Sequence, residues 1–201
     1  MKTRLISKRN EVLLVEENDN IFISKIFSDK TCLDNEYKYL KLLQNFAVPK
    51  VLDIKNNNLF LEYIDGKIFI DEFMTCEEQN KSPDFLINIL LDWLDNFYKL
   101  TKKHFGKQHI IDDINFRNFI IKENEIYGID FEQCHTGEIE YDIGKMSAFA
   151  IMYEPIKTKW KMNFLEKFLE TSIDKFNLDK QKVYEYFELE LKSIYERRKK
   201  G

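Results

Sequence analysis

The chain has 201 residues, 44% of them hydrophobic and 33% charged. That excludes an intrinsically disordered protein and fits one large domain or two small lobes. Lys and Arg number 31 against 35 Asp and Glu, a net charge of −4, which argues against a dedicated nucleic-acid binder. Three scattered cysteines, Cys32, Cys76 and Cys134, exclude a disulfide framework and paired-Cys zinc patterns and fit a reducing compartment. No run approaches the ~18 apolar residues of a membrane span. The charged first ten residues lack the apolar stretch of a secretory signal. The expectation is a cytoplasmic protein with no membrane partner.

In chain order, residues 5–6, 11–16 and 21–27 read as strands, separated by polar turns at 7–10 and 17–20. Asn and Asp suit such turns because they tolerate left-handed backbone. A helix is predicted over 33–45, with an apolar stripe of Leu33, Tyr37, Leu40 and Leu43. Residues 51–54 and 59–63 form a hairpin, and Asp65-Gly66 breaks the pattern. The predicted lobes are therefore 1–66 and 67–201. Ser82 as cap and Pro83 in the first turn open a helix whose stripe is Phe85, Leu86, Ile89, Leu90, Trp93, Phe97 and Leu100. A second hairpin joins 119–121 to 126–129 across Lys122-Glu123-Asn124. Helices follow over 143–153, 164–176 and 180–197, the second capped by Asn163 with Glu166 and the third by Asp179.

The chemistry concentrates after residue 110. Asp113 is followed five residues later by Asn118, and the second hairpin delivers Asp130 at its end. Phosphoryl transfer needs such a set: one carboxylate to orient a hydroxyl and accept its proton, an amide oxygen and a second carboxylate to hold Mg²⁺. An antiparallel turn brings Asp130 back beside Asn118. Upstream, Lys25 shares an otherwise apolar strand face with Ile21, Ile23 and Phe27. A lysine there is costly unless paired. Glu36 borders the helix stripe and faces the sheet, so it can pair with Lys25. Taken singly, each residue also reads as an edge-strand charge, a solvated helix charge or a turn residue. The order Lys, Glu, Asp, Asn, Asp on the right elements favours the chemical reading.

This order resembles the protein-kinase-like superfamily from Leu5 to about Tyr153. The resemblance implies an α+β, two-lobed fold: a small five-stranded antiparallel sheet with one helix, then a mainly helical lobe. It matches Lys25 to the phosphate-binding lysine and Glu36 to its helix partner. It matches Asp113 to the catalytic aspartate, and Asn118 and Asp130 to the metal ligands. The 59–66 segment looks like the strand and hinge at the adenine, with Glu62 and Ile64 as contacts. Ile129-Asp130-Phe131-Glu132 is closest to the aminoglycoside phosphotransferase and choline kinase branch. There the aspartate corresponding to Asp142 braces the catalytic loop. The small size is also similar to the minimal atypical kinase of the KEOPS tRNA-modification complex.

Two departures stand out. The loop histidine is Ile111 here, with His109 two residues early. No glycine precedes Gly66, so side chains of 7–10 would serve in place of a glycine-rich phosphate loop.

The resemblance implies ATP and Mg²⁺ as cofactors and transfer of the γ-phosphoryl group to a small-molecule hydroxyl. The alternatives are a minimal protein Ser/Thr kinase or ATPase within a complex, and a nucleotide-binding scaffold without catalysis. Asp130, Glu132, Glu138, Glu140 and Asp142 place five acids in 13 residues with no Lys or Arg among them, which would suit a cationic acceptor. Cys134-His135 and the basic end, residues 197–200, read as ordinary positions, the latter neutralising a helix terminus.

Overall fold

The computed structural model describes residues 1–5, 7, 9–18 and 20–200, and all but the side chain of Lys200 in the last helix. Ile6, Lys8 and Asp19, which the sequence reading puts in the first strand and the first two turns, lie outside the described residues, as does Gly201.

Five strands, β1 (Lys2–Leu5), β2 (Glu11–Glu17), β3 (Asn20–Ile26), β4 (Val51–Lys55) and β5 (Asn58–Glu62), make one antiparallel sheet. Their order is β1-β2-β3-β5-β4. Asn18 and Asn56 take left-handed backbone, φ 48° and 55°, where the chain reverses, the conformation for which asparagine is suited. Helix α1 (Lys30–Leu42) connects β3 to β4. It starts three residues before the predicted Leu33 because Asp29 caps it, accepting a bond from the Thr31 amide at 2.8 Å. Its buried face is Leu33, Glu36, Tyr39 and Leu40, with Tyr37 only half-buried. Tyr39 thus replaces Tyr37 in the expected stripe.

The remainder is mainly helical: α2 (Phe69–Glu78), α3 (Asp84–Phe105), α4 (Ile139–Met152), α5 (Lys159–Phe176) and α6 (Lys180–Lys200). The sequence reading missed α2, whose buried signal is only Phe69, Phe73 and Cys76. Helix α3 begins one residue late, with Pro83 rather than Ser82 at the cap position. It buries Leu86, Ile87, Leu90, Leu91, Trp93, Leu94, Phe97 and Tyr98, whereas Phe85 and Leu100 are exposed. Helix α4 starts at Ile139, four residues before the predicted start. Helix α5 is capped by Thr158, not by Asn163. Asp179 does cap α6, accepting from the Gln181 amide at 2.9 Å. No helix of the described residues is long and apolar enough to cross a membrane.

Short strands shape the region between α3 and α4. β6 (Lys67–Ile68) pairs with β8 (Phe119–Lys122), which pairs with β9 (Glu125–Gly128). β7 (His109–Ile110) pairs with β10 (His135–Thr136). The β8–β9 turn is two residues, Glu123 and Asn124, both left-handed at φ 51° and 69°. That twist matches the twist of the flanking strands and sets their register. Gly128 ends β9 against Trp93, where a Cβ would stand 2.2 Å from the indole. A close approach of this kind admits glycine alone.

The core below the hairpin is aromatic. Phe73 packs on Phe116, Trp160 and Phe164, with ring centroids 4.9–5.0 Å apart. Burying rings of this size dominates core energetics, and edge-to-face pairs add to their area term.

Candidate active site

Lys25 sits near the end of β3 and is buried, 7% exposed. Its Nζ donates to Glu36 Oε2 at 2.6 Å and to Asp130 Oδ1 at 2.8 Å, and lies 3.6 Å from Glu132 Oε2. Residues separated by 105 positions thus meet at one ammonium. Burial opposes the lysine charge, but Glu36 and Asp130 override it and raise the Lys25 pKa. Burial pushes Glu36, 1% exposed, up to about 7. Lys25 pulls it back, while Asp130 and Glu132 add repulsion. The three carboxylates share Lys25 and, at Glu132 Oε1, the half-exposed Arg9 guanidinium 3.6 Å away, and the Asp130 side chain keeps 34% of its surface open. One oxygen from each of Glu36, Asp130 and Glu132 falls within 4.8 Å of the others.

Asp113 and Asn118 lie on the loop between β7 and β8. The Asn118 amide donates to the Asp113 carbonyl at 2.7 Å, which leaves its side-chain oxygen as an acceptor. The Ile129 amide donates to the Asn118 carbonyl at 2.9 Å, so Asp130 follows directly beside Asn118. Asp130 itself is left-handed at φ 68°. A carboxylate and an amide oxygen presented together are hard oxygen donors of the kind Mg²⁺ prefers. The donor set therefore fits a divalent cation.

Asp142 on α4 fixes this loop. Fully buried, it accepts from the amides of Ile111 at 2.9 Å and Asp112 at 3.1 Å, and from the Tyr98 hydroxyl at 3.0 Å. Burial pushes its pKa up to about 6, against the pull of those donors and of Lys145. Asp112, left-handed at φ 64°, turns its side chain to Lys145 at 3.1 Å. Arg117 lies over the Tyr153 ring, 5.4 Å from its centroid, and the Tyr153 hydroxyl accepts from the Phe116 amide at 3.2 Å. The loop is held from both ends.

Not every predicted residue joins the cluster. The Glu62 side chain turns to the Lys50 amide at 3.2 Å and lines a groove of about 770 Å³ formed with 44–48, α3 and the β8–β9 turn. Lys25, Glu36, Asp113, Asn118 and Asp130 are absent from that groove's lining. Ile64 is buried just past β5. The acidic run is also largely paired within the chain. Glu138 pairs with Lys182 at 2.7 Å, Glu140 accepts from the Asp179 amide at 3.2 Å, and Asp142 braces the loop. The basic end folds back likewise, Arg197 onto Glu190 and Arg198 onto Glu154.

No family model matches the chain. Among solved structures, the amicoumacin kinase hAmiN in complex with AMP-PNP, Ca²⁺ and Ami superposes with a TM-score of 0.66 at 15% identity. The match covers 89% of this chain and 73% of that one. WaaP in complex with acyl carrier protein superposes with a TM-score of 0.65 at 11% identity, over 97% of this chain and 89% of that one. The fold is protein-kinase-like.

Within this protein-kinase-like fold, Asn35 and Tyr39 of α1 make contacts that the sequence reading did not single out, and Arg9 and Asn10 of the 7–10 segment, expected to serve the phosphates, turn to Glu132 instead. Asn10, ahead of β2, donates to Glu132 Oε2 at 2.5 Å. Asn35 on α1 donates to the carbonyls of both Glu132 and Cys134, each at 2.9 Å. Tyr39, also on α1, meets His109 Nδ1 at 2.5 Å. A signal for Asn35 and Tyr39 was present: Cys32, Asn35, Glu36 and Tyr39 follow the i, i+3, i+4, i+7 spacing of one helix face.

Proposed function

We propose that the chain is an ATP-dependent phosphotransferase that moves the γ-phosphoryl group to a hydroxyl of a small molecule. The observation that carries this reading is the meeting of Lys25 with Glu36 and Asp130 at 2.6 and 2.8 Å. It lies next to a loop that presents Asp113 and Asn118. In this reading residues 1–66 form the nucleotide-covering lobe and 67–201 the lobe that carries the catalytic loop.

Lys25, kept charged by its carboxylates, engages the α- and β-phosphates while Glu36 holds it in place. Ile64 contributes backbone groups to the adenine and Glu62 its carbonyl, since the Glu62 amide and side chain are both engaged with Lys50. Asn118 and Asp130 would hold Mg²⁺, which neutralises charge on the phosphates. Asp113 orients the acceptor hydroxyl and takes its proton. Asp142 keeps the Ile111 and Asp112 amides in place, so Asp113 is presented without reorganisation. The complex of the amicoumacin kinase with AMP-PNP and Ca²⁺ supports a nucleotide and a divalent metal on this fold.

Thermal unfolding with and without ATP and Mg²⁺ tests the binding half. A ligand at ~100-fold its dissociation constant adds about 2.7 kcal/mol. Asp130→Asn should lose the Mg²⁺-dependent part of that gain and keep its fold. Equal stabilisation of variant and wild type would remove Asp130 from metal binding.

A panel of amino sugars, choline-like amines, nucleosides and protein substrates tests the chemical half. Asp113→Ala should bind ATP normally and transfer phosphate 10²–10⁴-fold more slowly, the range for a lost general base. Transfer to protein alone would favour a minimal protein kinase. Transfer to nothing, with ATP hydrolysis indifferent to Asp113→Ala, would favour a scaffold.

A further inference from the structure

Helix α1 carries two rows of side chains. One is the apolar stripe of Leu33 and Leu40 against the core. A polar row at helical spacing overlaps it: Cys32, Asn35 and the buried Glu36 and Tyr39. Cys32, Asn35 and Tyr39 each meet a residue 70 or more positions further on, and Glu36 meets Lys25 of β3. Gln133 Nε2 lies 3.9 Å from Cys32 Sγ, Asn35 reaches the Glu132 and Cys134 carbonyls, Glu36 holds Lys25, and Tyr39 meets His109.

The contact of Asn35 is the most constrained of these. A side-chain amide nitrogen has two hydrogens, and both are used, one on each carbonyl at 2.9 Å. Those carbonyls are set side by side by a turn in which the Cys134 amide donates to the Phe131 carbonyl at 3.2 Å. The turn begins immediately after Asp130. One side chain therefore ties the helix that carries Glu36 to the segment that carries Asp130, and Lys25 lies between the two acids.

We propose that Asn35 is a positioning residue for the Lys25–Glu36 pair: its amide clamps α1 onto the turn after Asp130, so the phosphate-binding lysine is in place before any ligand arrives. The clamp acts through Glu36, not by touching nucleotide, and its effect on binding rests on the phosphotransferase reading. Glu36 needs such support. It is buried, faces two further carboxylates, and gains from its position only while Lys25 stays within reach. A displaced α1 would strand Lys25 with Asp130 and Glu132, which draw it toward the metal side of the cleft. A crevice of about 430 Å³ opens beside Asn35, lined by Cys32, Lys38, Glu132 and Gln133 among others. A substituted side chain there meets solvent instead of packed core.

The test uses the full chain and the variants Asn35→Ala and Asn35→Asp, alone and with Glu36→Gln. Amide hydrogen exchange without ligand reads the clamp directly. Exchange should quicken across residues 30–42 and stay unchanged in α3 and α5. Affinities for ATP and for adenosine then separate phosphate contacts from base contacts. Asn35→Ala should weaken ATP roughly tenfold, the weight of one or two neutral hydrogen bonds, and leave adenosine unaltered. In the Glu36→Gln background the same change should have no further effect on the ATP-to-adenosine ratio, because residues acting as one unit are not additive. Parallel loss of both ligands, additivity with Glu36→Gln, or unchanged exchange in α1 would overturn the proposal. Failure of the wild type to bind either ligand would instead sink the phosphotransferase reading. The clamp would then be judged on exchange alone, upheld if it quickens in α1 and overturned if it does not.

Discussion

Among the described residues two lysines are buried, and their surroundings differ in one respect that separates chemistry from architecture. Lys161 on α5 is fully enclosed. Its Nζ meets Glu77 of α2 at 2.5 Å and the Pro155 carbonyl at 2.7 Å, and it lies 6.0 Å from the Phe73 ring centroid. Thr158 donates to the other Glu77 oxygen. One cation answers one anion close to the Phe73 ring, although Glu77 Oε2 itself makes no well-aligned hydrogen bond. Lys25 is nearly as buried but answers three carboxylates, one of them on a side chain that reaches solvent. A sealed, balanced pair has nothing left to bind. An open one, whose three carboxylates share Lys25 and the half-exposed Arg9, keeps carboxylate oxygens within reach of a cation. Buried ion pairs are weak evidence for net stability but costly to break, so openness is better evidence of function than burial is.

The sharpest way to break the comparison is to unbalance the sealed pair. Glu77→Gln leaves the Lys161 ammonium buried without a counter-charge, a loss of about 3–5 kcal/mol. For a chain of this size the melting temperature should fall by roughly 10 °C. The remaining folded protein should respond to ATP and Mg²⁺ as the wild type does. Calorimetric melting with and without nucleotide checks both statements.

The open cluster should instead be visible in pH dependence. Burial raises Glu36 from an ordinary 4.5 to about 7. A raised folded-state pKa contributes stability that is fully present below the unfolded value and lost as pH rises through the folded one. The wild type should therefore lose stability relative to Glu36→Gln between about pH 4.5 and 7, with a constant difference above that. Melting curves of both proteins across pH 4–8 measure this, and parallel curves would refute it.

The smallest effect is expected at Glu132. A glutamine there still accepts from Asn10 and relieves repulsion with Glu36 and Asp130, at the loss of a half-exposed ion pair with Arg9 at 3.6 Å. Glu132→Gln should lie within about 1 kcal/mol of the wild type and on the stabilising side. A loss as large as that of Glu77→Gln would show that the open cluster is as tightly balanced as the sealed one.

Much of the site was legible in the chain because the chemistry leaves few spellings. A lysine amid Ile21, Ile23 and Phe27 announces a buried charge that needs a partner. Asn118 before a tight hairpin and Asp130 after it announce two oxygen donors returned to each other by antiparallel pairing. Local periodicity likewise marked the five strands and the long helices, since it records which face is buried.

What only the tertiary structure decided are the contacts without a pattern. Asn35 and Asn10 reach Glu132 across 97 and 122 positions. An amide looks the same in a turn, on a solvated helix face or in a buried clamp. The short helix α2 escaped for a related reason: three buried residues between Gly66 and Pro83 carry too little period to be heard above chance. The acidic run at 130–142 shows the same limit. Like charges adjacent in sequence suggest one field, yet the fold turns Asp130 and Glu132 to Lys25, Glu138 to Lys182 and Asp142 to the Ile111 and Asp112 amides. Sequence proximity gives the sum of the charges; only the path of the backbone assigns each its partner, because Coulomb attraction and hydrogen bonding act over a few ångströms of space and not along the chain.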